Sequence, residues 1–91
     1  MKKNSEYKFS SKANIINNDD EYLIELDDEI FYINEIVVDI LNFCIKEYKT
    51  IDDIVKKIRD NYTIDPSVDL NKDIRDTMTE LVEKNIVEER R

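Results

Sequence analysis

Residues 22–41, YLIELDDEIFYINEIVVDIL, hold two short apolar runs joined by an acidic turn and followed at once by an amphipathic segment. The runs Tyr22–Leu26 and Ile30–Ile33 have the length and residue types of strands, and Asp27–Glu29 is typical of a tight turn. From Asn34 onward, apolar residues recur every three or four positions, which indicates a helix face. A small sheet that leads directly into helices buries one face and keeps an edge that can bind another chain.

A further strand is predicted before this stretch. Ile15 and Ile16 precede the polar run Asn17–Asp20, and Asn and Asp favour turns because they tolerate left-handed backbone. The three strands are therefore expected to form an antiparallel sheet. Because the chain contains no glycine, Asp28 is expected to carry the left-handed conformation of the second turn.

Three helices are predicted after the sheet. Asn34 is a good N-cap for the first, and Thr50 with Asp53 forms an approximate capping box for the second. Pro66 interrupts that helix, and the third begins there or a few residues later. Asn85 is placed to end it in the left-handed position usually filled by glycine. The sequence thus predicts an α+β fold with a three-stranded antiparallel β-sheet followed by three α-helices, in a winged helix-turn-helix-like order.

Length and composition indicate one small domain. The 91 residues suffice for a single modest core. We place the domain at residues 13–88, between a flexible N-terminal segment, residues 1–12, and a C-terminal tail, residues 89–91. The N-terminus lacks the apolar core of a signal peptide, and no apolar run is long enough to cross a membrane. We therefore expect a cytoplasmic protein without a membrane partner.

The charge balance bears on the partner. A net charge of -8 repels phosphate backbones, so a nucleic-acid partner is not expected and a peptide or protein is favoured. Two alternatives from other classes are a winged-helix DNA-binding transcription regulator and a generic dimerisation domain whose free edge pairs with itself. The first would need a basic recognition helix. The third predicted helix instead carries Asp69, Asp73, Asp76, Glu80 and Glu83.

Residues that usually carry chemistry are scarce. The chain has no histidine, no glycine and one cysteine, Cys44, which lies in an apolar helical stripe and is interpreted as a small core residue. Polar side chains from Asp65 to Asp76 have the spacing of a calcium loop, but Leu70 stands where that loop needs glycine, which favours a helix start. We predict no catalytic residue, no metal site and no cofactor.

Four segments follow one another in a recognisable order: EIFYINEIVVDILNF (29–43), TIDDIVKKIRDNY (50–62), the pair DP (65–66) and DIRDTMTELVEKNIV (73–87). In order and spacing they resemble the PqqD family over roughly residues 13–87. That family comprises the pyrroloquinoline quinone biosynthesis chaperone and the recognition elements (RREs) of ribosomally synthesised and post-translationally modified peptides (RiPPs). The strongest local match is Phe31, Tyr32, Ile33 and Asn34. Family members often have glycine where this chain has Lys46 and Asn85.

The resemblance implies a non-catalytic adaptor that binds the leader region of a ribosomally made precursor peptide and presents it to a separate modifying enzyme. In such proteins the leader adds as a strand beside the third strand and lies against the third helix. The enzyme would be a radical S-adenosylmethionine (radical SAM) protein or a leader peptidase of the lasso-peptide type, and both stay open. A monomer or weak homodimer is expected.

On this resemblance the binding edge consists of Glu29, Ile30, Phe31, Tyr32, Ile33 and Asn34. Strand alternation assigns Phe31 and Ile33 to the core and lets Tyr32 face the groove or solvent. On the third helix, Ile74 and Leu81 are expected in the core. The groove candidates on its flank are Asn71, Arg75, Met78, Thr79 and Val82. The alternatives are that Tyr32 only covers the sheet and that Arg75 only pairs with an acidic neighbour.

Overall fold

The structure, a computed structural model, describes residues 5–91. Its elements are β1 (Glu6–Phe9), β2 (Ala13–Asn18), β3 (Glu21–Leu26), β4 (Glu29–Ile33), α1 (Glu35–Phe43), β5 (Lys49–Thr50), α2 (Ile51–Asn61), α3 (Leu70–Glu83) and β6 (Val87–Arg90). The antiparallel sheet β2-β3-β4 followed by three helices confirms the predicted α+β class. A second small sheet, with the order β5-β1-β6, was not predicted.

Two-residue turns connect the strands of the main sheet, at residues 19–20 and 27–28. In each turn the first residue takes the left-handed backbone, with φ of 57° at Asp19 and 54° at Asp27. The prediction that Asp28 carries this conformation is therefore wrong by one residue. Both positions of this turn are aspartate, which tolerates left-handed backbone at either place, so the residue type alone could not distinguish them.

The predicted helix caps are confirmed. The Asn34 Oδ1 accepts a hydrogen bond from the Val37 N–H at 2.9 Å at the start of α1. Thr50 and Asp53 bond to each other's backbone N–H at 3.1 Å in a complete capping box for α2. Asn85 follows α3 with φ of 63°. Each cap satisfies backbone groups that a helix end leaves without an intrahelical partner.

Strand β1 corrects the prediction of a flexible segment that extends to residue 12. It pairs with β6 over its whole length, and Tyr7 and Phe9 are buried in the core. Alternate side chains of a strand share a face, so Lys8 between them stays outside. The predicted segment also includes residues 1–4, which lie outside the described residues.

Arg90 shows that the predicted C-terminal tail is part of the domain. Its Nε donates to the Glu6 Oε1 at 2.9 Å, and its guanidinium carbon lies 3.9 Å from the centroid of the Tyr48 ring. These contacts join β6 to β1 and to the chain before β5. Through the second sheet, both ends of the described chain are therefore held against the helices.

The core lies between the helix-facing side of the main sheet and the three helices. Its largest fully buried side chains are Ile24, Ile40, Leu41, Cys44, Ile54, Ile58, Met78 and Ile86. Cys44 is a core residue as predicted, and burial raises its pKa to about 11. Within residues 5–91, no helix is both long enough and apolar enough to cross a membrane.

Candidate functional site

Strand β4 is an edge of the main sheet, and within residues 5–91 it pairs with β3 alone. Leu26 stands opposite Glu29 beside the two-residue turn. Such a turn is closed by a hydrogen-bonded pair, and bonded and non-bonded pairs alternate from there along the ladder. Glu29 and Phe31 therefore direct their N–H and C=O groups to β3, whereas Ile30 and Tyr32 direct theirs to the open edge.

The side chains of β4 alternate between the two faces of the sheet, as predicted. Phe31 and Ile33 are partly buried and pack against the core. Ile30 and Tyr32 are 56% and 76% exposed on the opposite face. Glu29 is exposed at the start of the strand. The open edge thus lies between an apolar face turned toward the helices and an exposed face.

Helix α3 forms a second wall beside β4. Four of its residues, Thr77, Glu80, Leu81 and Lys84, recur at helical spacing and line a groove of about 310 Å³ with the strand. The β4 side of this groove is formed by Phe31, Tyr32, Ile33 and the cap residue Asn34. Val37 of α1 and the buried Ile86 complete the lining. The groove therefore has apolar residues at its base and polar residues along its rim.

Lys84 places a positive charge on the rim. Its Nζ lies 5.5 Å from the centroid of the Phe31 ring and donates a hydrogen bond to the Glu80 Oε1 at 2.7 Å. A cation within about 6 Å of an aromatic face is attracted by the ring quadrupole. Because the Glu80 carboxylate is largely exposed, its pairing with Lys84 contributes little to stability and can be exchanged for another acceptor.

The predicted groove residues of α3 are not those that line the groove. Asn71, Arg75, Thr79 and Val82 lie on the flank of the helix that faces away from β4. Val82 lines a separate depression with Leu26, and the Thr79 hydroxyl donates to the Arg75 carbonyl oxygen at 2.9 Å. Thus the structure brings the predicted strand residues 31–34 together with Thr77, Glu80 and Lys84 instead.

Met78 requires a separate correction, because it is fully buried. It lies on the same stripe of α3 as Ile74 and Leu81, which were predicted correctly as core residues. One flank of that stripe carries Thr77, which precedes Leu81 by four residues, and Lys84, which follows it by three. The spacing of Thr77 and Lys84 was visible in the sequence. Residues on the other flank of α3 have the same kind of spacing, so the sequence alone did not tell which flank faces β4.

An edge strand beside a groove with an apolar base is an arrangement by which small domains take up an extended chain. The model of the family described as Coenzyme PQQ synthesis protein D (PqqD) matches residues 19–87. The match covers well over half of the sequence, and the chain belongs to the PqqD family. In the comparison with curated proteins, none matches this chain.

Two solved structures share the fold. One is TbiB1 in complex with the TbiA(beta) leader peptide, with a TM-score of 0.66 and 23% identity, covering 89% of this chain and 94% of that chain. The other is the solution NMR structure of the PqqD truncation of Methylobacterium extorquens PqqCD, described as a functional and stand-alone RRE. It has a TM-score of 0.73 and 15% identity, covering 91% of this chain and 88% of that chain.

Proposed function

We propose that this chain is a non-catalytic adaptor that binds the leader region of a ribosomally synthesised precursor peptide and presents it to a separate modifying enzyme. The observation that carries the proposal is the coincidence of two features in residues 31–34. They belong to, or directly follow, an open strand edge, and they line the groove between that edge and α3. An extended peptide beside β4 would use both features at once.

The edge supplies affinity that depends little on peptide sequence. The N–H and C=O groups of Ile30 and Tyr32 point to the open side of the sheet, where a leader strand would bond to them. Backbone bonds of this kind are available to any residue of the peptide except the N–H of proline. The main sheet would then grow from three strands to four.

The groove supplies selectivity. Alternate side chains of the added strand would point toward the helices, where Phe31 and Val37 offer apolar contact. A carboxylate in the peptide would replace Glu80 as the acceptor for Lys84. We therefore propose a leader segment in which an apolar side chain and an acidic side chain face the groove.

The structural neighbours support this proposal. TbiB1 is described in complex with a leader peptide, and the PqqD truncation is described as a functional and stand-alone RRE. Both share the fold of this chain over most of their length. The modifying enzyme would act in the cytoplasm, where precursor peptides are made, as a radical SAM protein or a lasso-type leader peptidase.

The two alternatives make different demands on the molecule. A DNA-binding regulator would place α3 in the major groove, but the N-cap Asp69 is exposed and so are four acidic residues of the helix, Asp73, Asp76, Glu80 and Glu83. These charges oppose a phosphate backbone. A domain that dimerises through β4 would occupy the edge that the leader requires. Peptide binding and such dimerisation would then compete.

A backbone-amide titration by NMR tests the proposal. The isotope-labelled protein is titrated with a synthetic peptide that spans the leader half of a short precursor encoded beside its gene, and with a scrambled peptide of the same composition. We expect saturable shifts at residues 29–34 and 77–84 with the native order, and markedly weaker binding of the scrambled peptide, which keeps only the backbone bonds at the edge. Unchanged amides in both segments at saturating concentrations of every neighbouring leader would contradict the adaptor model. Shifts confined to the other flank of α3 would contradict the proposed groove.

A further inference from the structure

The opposite edge of the main sheet, strand β2, differs from the other strands in charge. Within the described residues it pairs only with β3. Its six residues, ANIINN, carry no charge, whereas each of the other five strands has at least one charged residue. Charged residues on edge strands hinder pairing with other chains. In a chain with 40% charged residues, β2 lacks that hindrance.

The register shows which groups of β2 are available. Asn18 stands opposite Glu21 beside the turn, so by the same alternation Ile16 directs its backbone groups to β3. Ile15 and Asn17 direct theirs outward. The outward N–H of Ala13 already donates to the Ser10 carbonyl oxygen at 3.2 Å. A partner strand would therefore pair with the segment that contains Ile15 and Asn17.

We propose that two copies of this chain associate through β2, antiparallel about a twofold axis. Outward residues must face outward residues, and of the registers that satisfy this, only the one with Ile15 opposite Asn17 of the second copy uses both residues of each copy, giving two such pairs with four backbone hydrogen bonds. Ile16 then faces Ile16 of the second copy on the axis. Asn14 faces Asn18 on either side of it, where the amide side chains can bond to each other.

The outer face of the sheet fits this register. Ile16, Leu23 and Tyr32 stand opposite one another on adjacent strands and form one row across the sheet. The twofold axis would join two such rows into a continuous apolar row of six side chains. The nearest charges on this face, Glu21 and Glu25, lie on β3 opposite Asn18 and Asn14. Neutral β2 residues therefore separate these carboxylates from the axis in each copy.

Size and charge make this association weak. A seam of two six-residue strands is smaller than the roughly 1,200 Å² or more that stable interfaces bury. Each copy carries a net charge of -8, so the copies repel each other at low ionic strength. Salt should therefore strengthen the dimer. Both β4 edges would lie at the far ends of a six-stranded sheet, so leader binding and self-association are independent of each other.

Sedimentation velocity tests the association with the full chain. We expect a monomer at about 10 µM and a rising dimer fraction toward about 1 mM, increased by sodium chloride. Ile16→Lys and Ile16→Glu should each remain monomeric, because like charges would meet on the axis. An equimolar mixture of the two variants should form the dimer again. A monomer under all conditions, or a wild-type dimer that both variants retain, would overturn the proposal.

Cysteine cross-linking tests the register without adding charge. Antiparallel residue pairs that share no backbone hydrogen bonds bring their Cβ atoms close enough for a disulfide. The two copies of an Ile16→Cys variant should therefore cross-link through this cysteine under mild oxidation. Asn14→Cys and Asn18→Cys are the matched controls, because each faces a different residue number. We expect at least about tenfold faster cross-linking for Ile16→Cys than for either control. Equal rates for all three variants, or loss of wild-type dimer on leader binding, would contradict this interface.

Discussion

Lys84 and Phe31 connect helix α3 to the edge strand across the groove, with the Lys84 Nζ 5.5 Å from the centroid of the Phe31 ring. The same ammonium group bonds to Glu80 one turn earlier on the helix. A side chain that entered the groove would therefore meet an aromatic surface and a positive charge together. The two residues come from elements that are far apart in the sequence and belong to the two facing walls of the proposed site.

Replacing Lys84 with alanine should weaken leader binding without unfolding the domain. We expect a loss of roughly threefold to tenfold in affinity, the effect of removing one cation–π or charge-assisted contact. Lys72→Ala is the matched control, because Lys72 forms the same kind of pair with Asp76 on α3 but does not line the groove. Isothermal titration calorimetry measures both affinities. Equal losses in the two variants would indicate a general charge effect.

A proline at Tyr32 should weaken leader binding through the backbone. Proline removes the N–H that points to the open edge, and one lost hydrogen bond of about 1.4 kcal/mol corresponds to about tenfold in affinity. Tyr32→Ala keeps the N–H and removes only the ring, so it should retain most of the affinity. Circular dichroism checks that both variants fold. A loss of the same size in both would assign the effect to the ring.

Local signals explain the part of the fold that the sequence predicted. The strands and turns of residues 13–33 are adjacent in the chain, and the caps at Asn34, Thr50 and Asn85 depend on residues within four positions of each cap. The order of strands and helices also predicted a free sheet edge that can bind another chain, and the family resemblance assigned a leader peptide to it. These features need no knowledge of how distant segments pack.

The missed features depend on distant segments. Strand β1 pairs with β6 across almost the whole chain, and both are short and charged, so neither has a strand pattern of its own. The flank of α3 that meets β4 depends on how the helix rotates against the sheet. Residues such as Arg75 and Lys84 have equivalent helical spacing in the sequence, and only packing distinguishes them.

Met78→Ala should destabilise the fold, because Met78 is fully buried in the core. We expect the free energy of unfolding to fall by roughly 2–4 kcal/mol through lost burial and a cavity. Arg75→Ala, at an exposed position on the same helix, should change it by less than about 0.5 kcal/mol. Urea denaturation followed by circular dichroism gives both values. A stable Met78→Ala variant with weakened leader binding would restore Met78 as a groove residue.

Phe9→Ala tests whether the N-terminal strand is part of the folding unit. Phe9 is 9% exposed and packs in the core, so the variant should lose roughly 3 kcal/mol of unfolding free energy. Lys8→Ala removes the neighbouring side chain on the outer face, where its Nζ lies 5.8 Å from the centroid of the Tyr48 ring, and should cost no more than about 1 kcal/mol. Equal values in urea denaturation would show that β1 contributes little to the stability of the domain.

Stability should fall in alkaline solution because of Cys44. Burial raises the pKa of its thiol from 9.0 to about 11 in the folded protein, so above pH 9 the unfolded chain loses this proton first. The stability that the neutral, buried thiol gives to the folded protein is fully present below pH 9 and is lost progressively as the pH rises toward 11. Cys44→Ala removes this titration, so the difference in unfolding free energy between the two proteins should shrink over that range.

Tyr62, whose bond to Asp39 raises its pKa to about 12, affects both proteins equally. Urea denaturation at pH 8, 9, 10 and 11 measures the difference, and a constant value would show that the thiol ionises as readily in the folded chain as in the unfolded one.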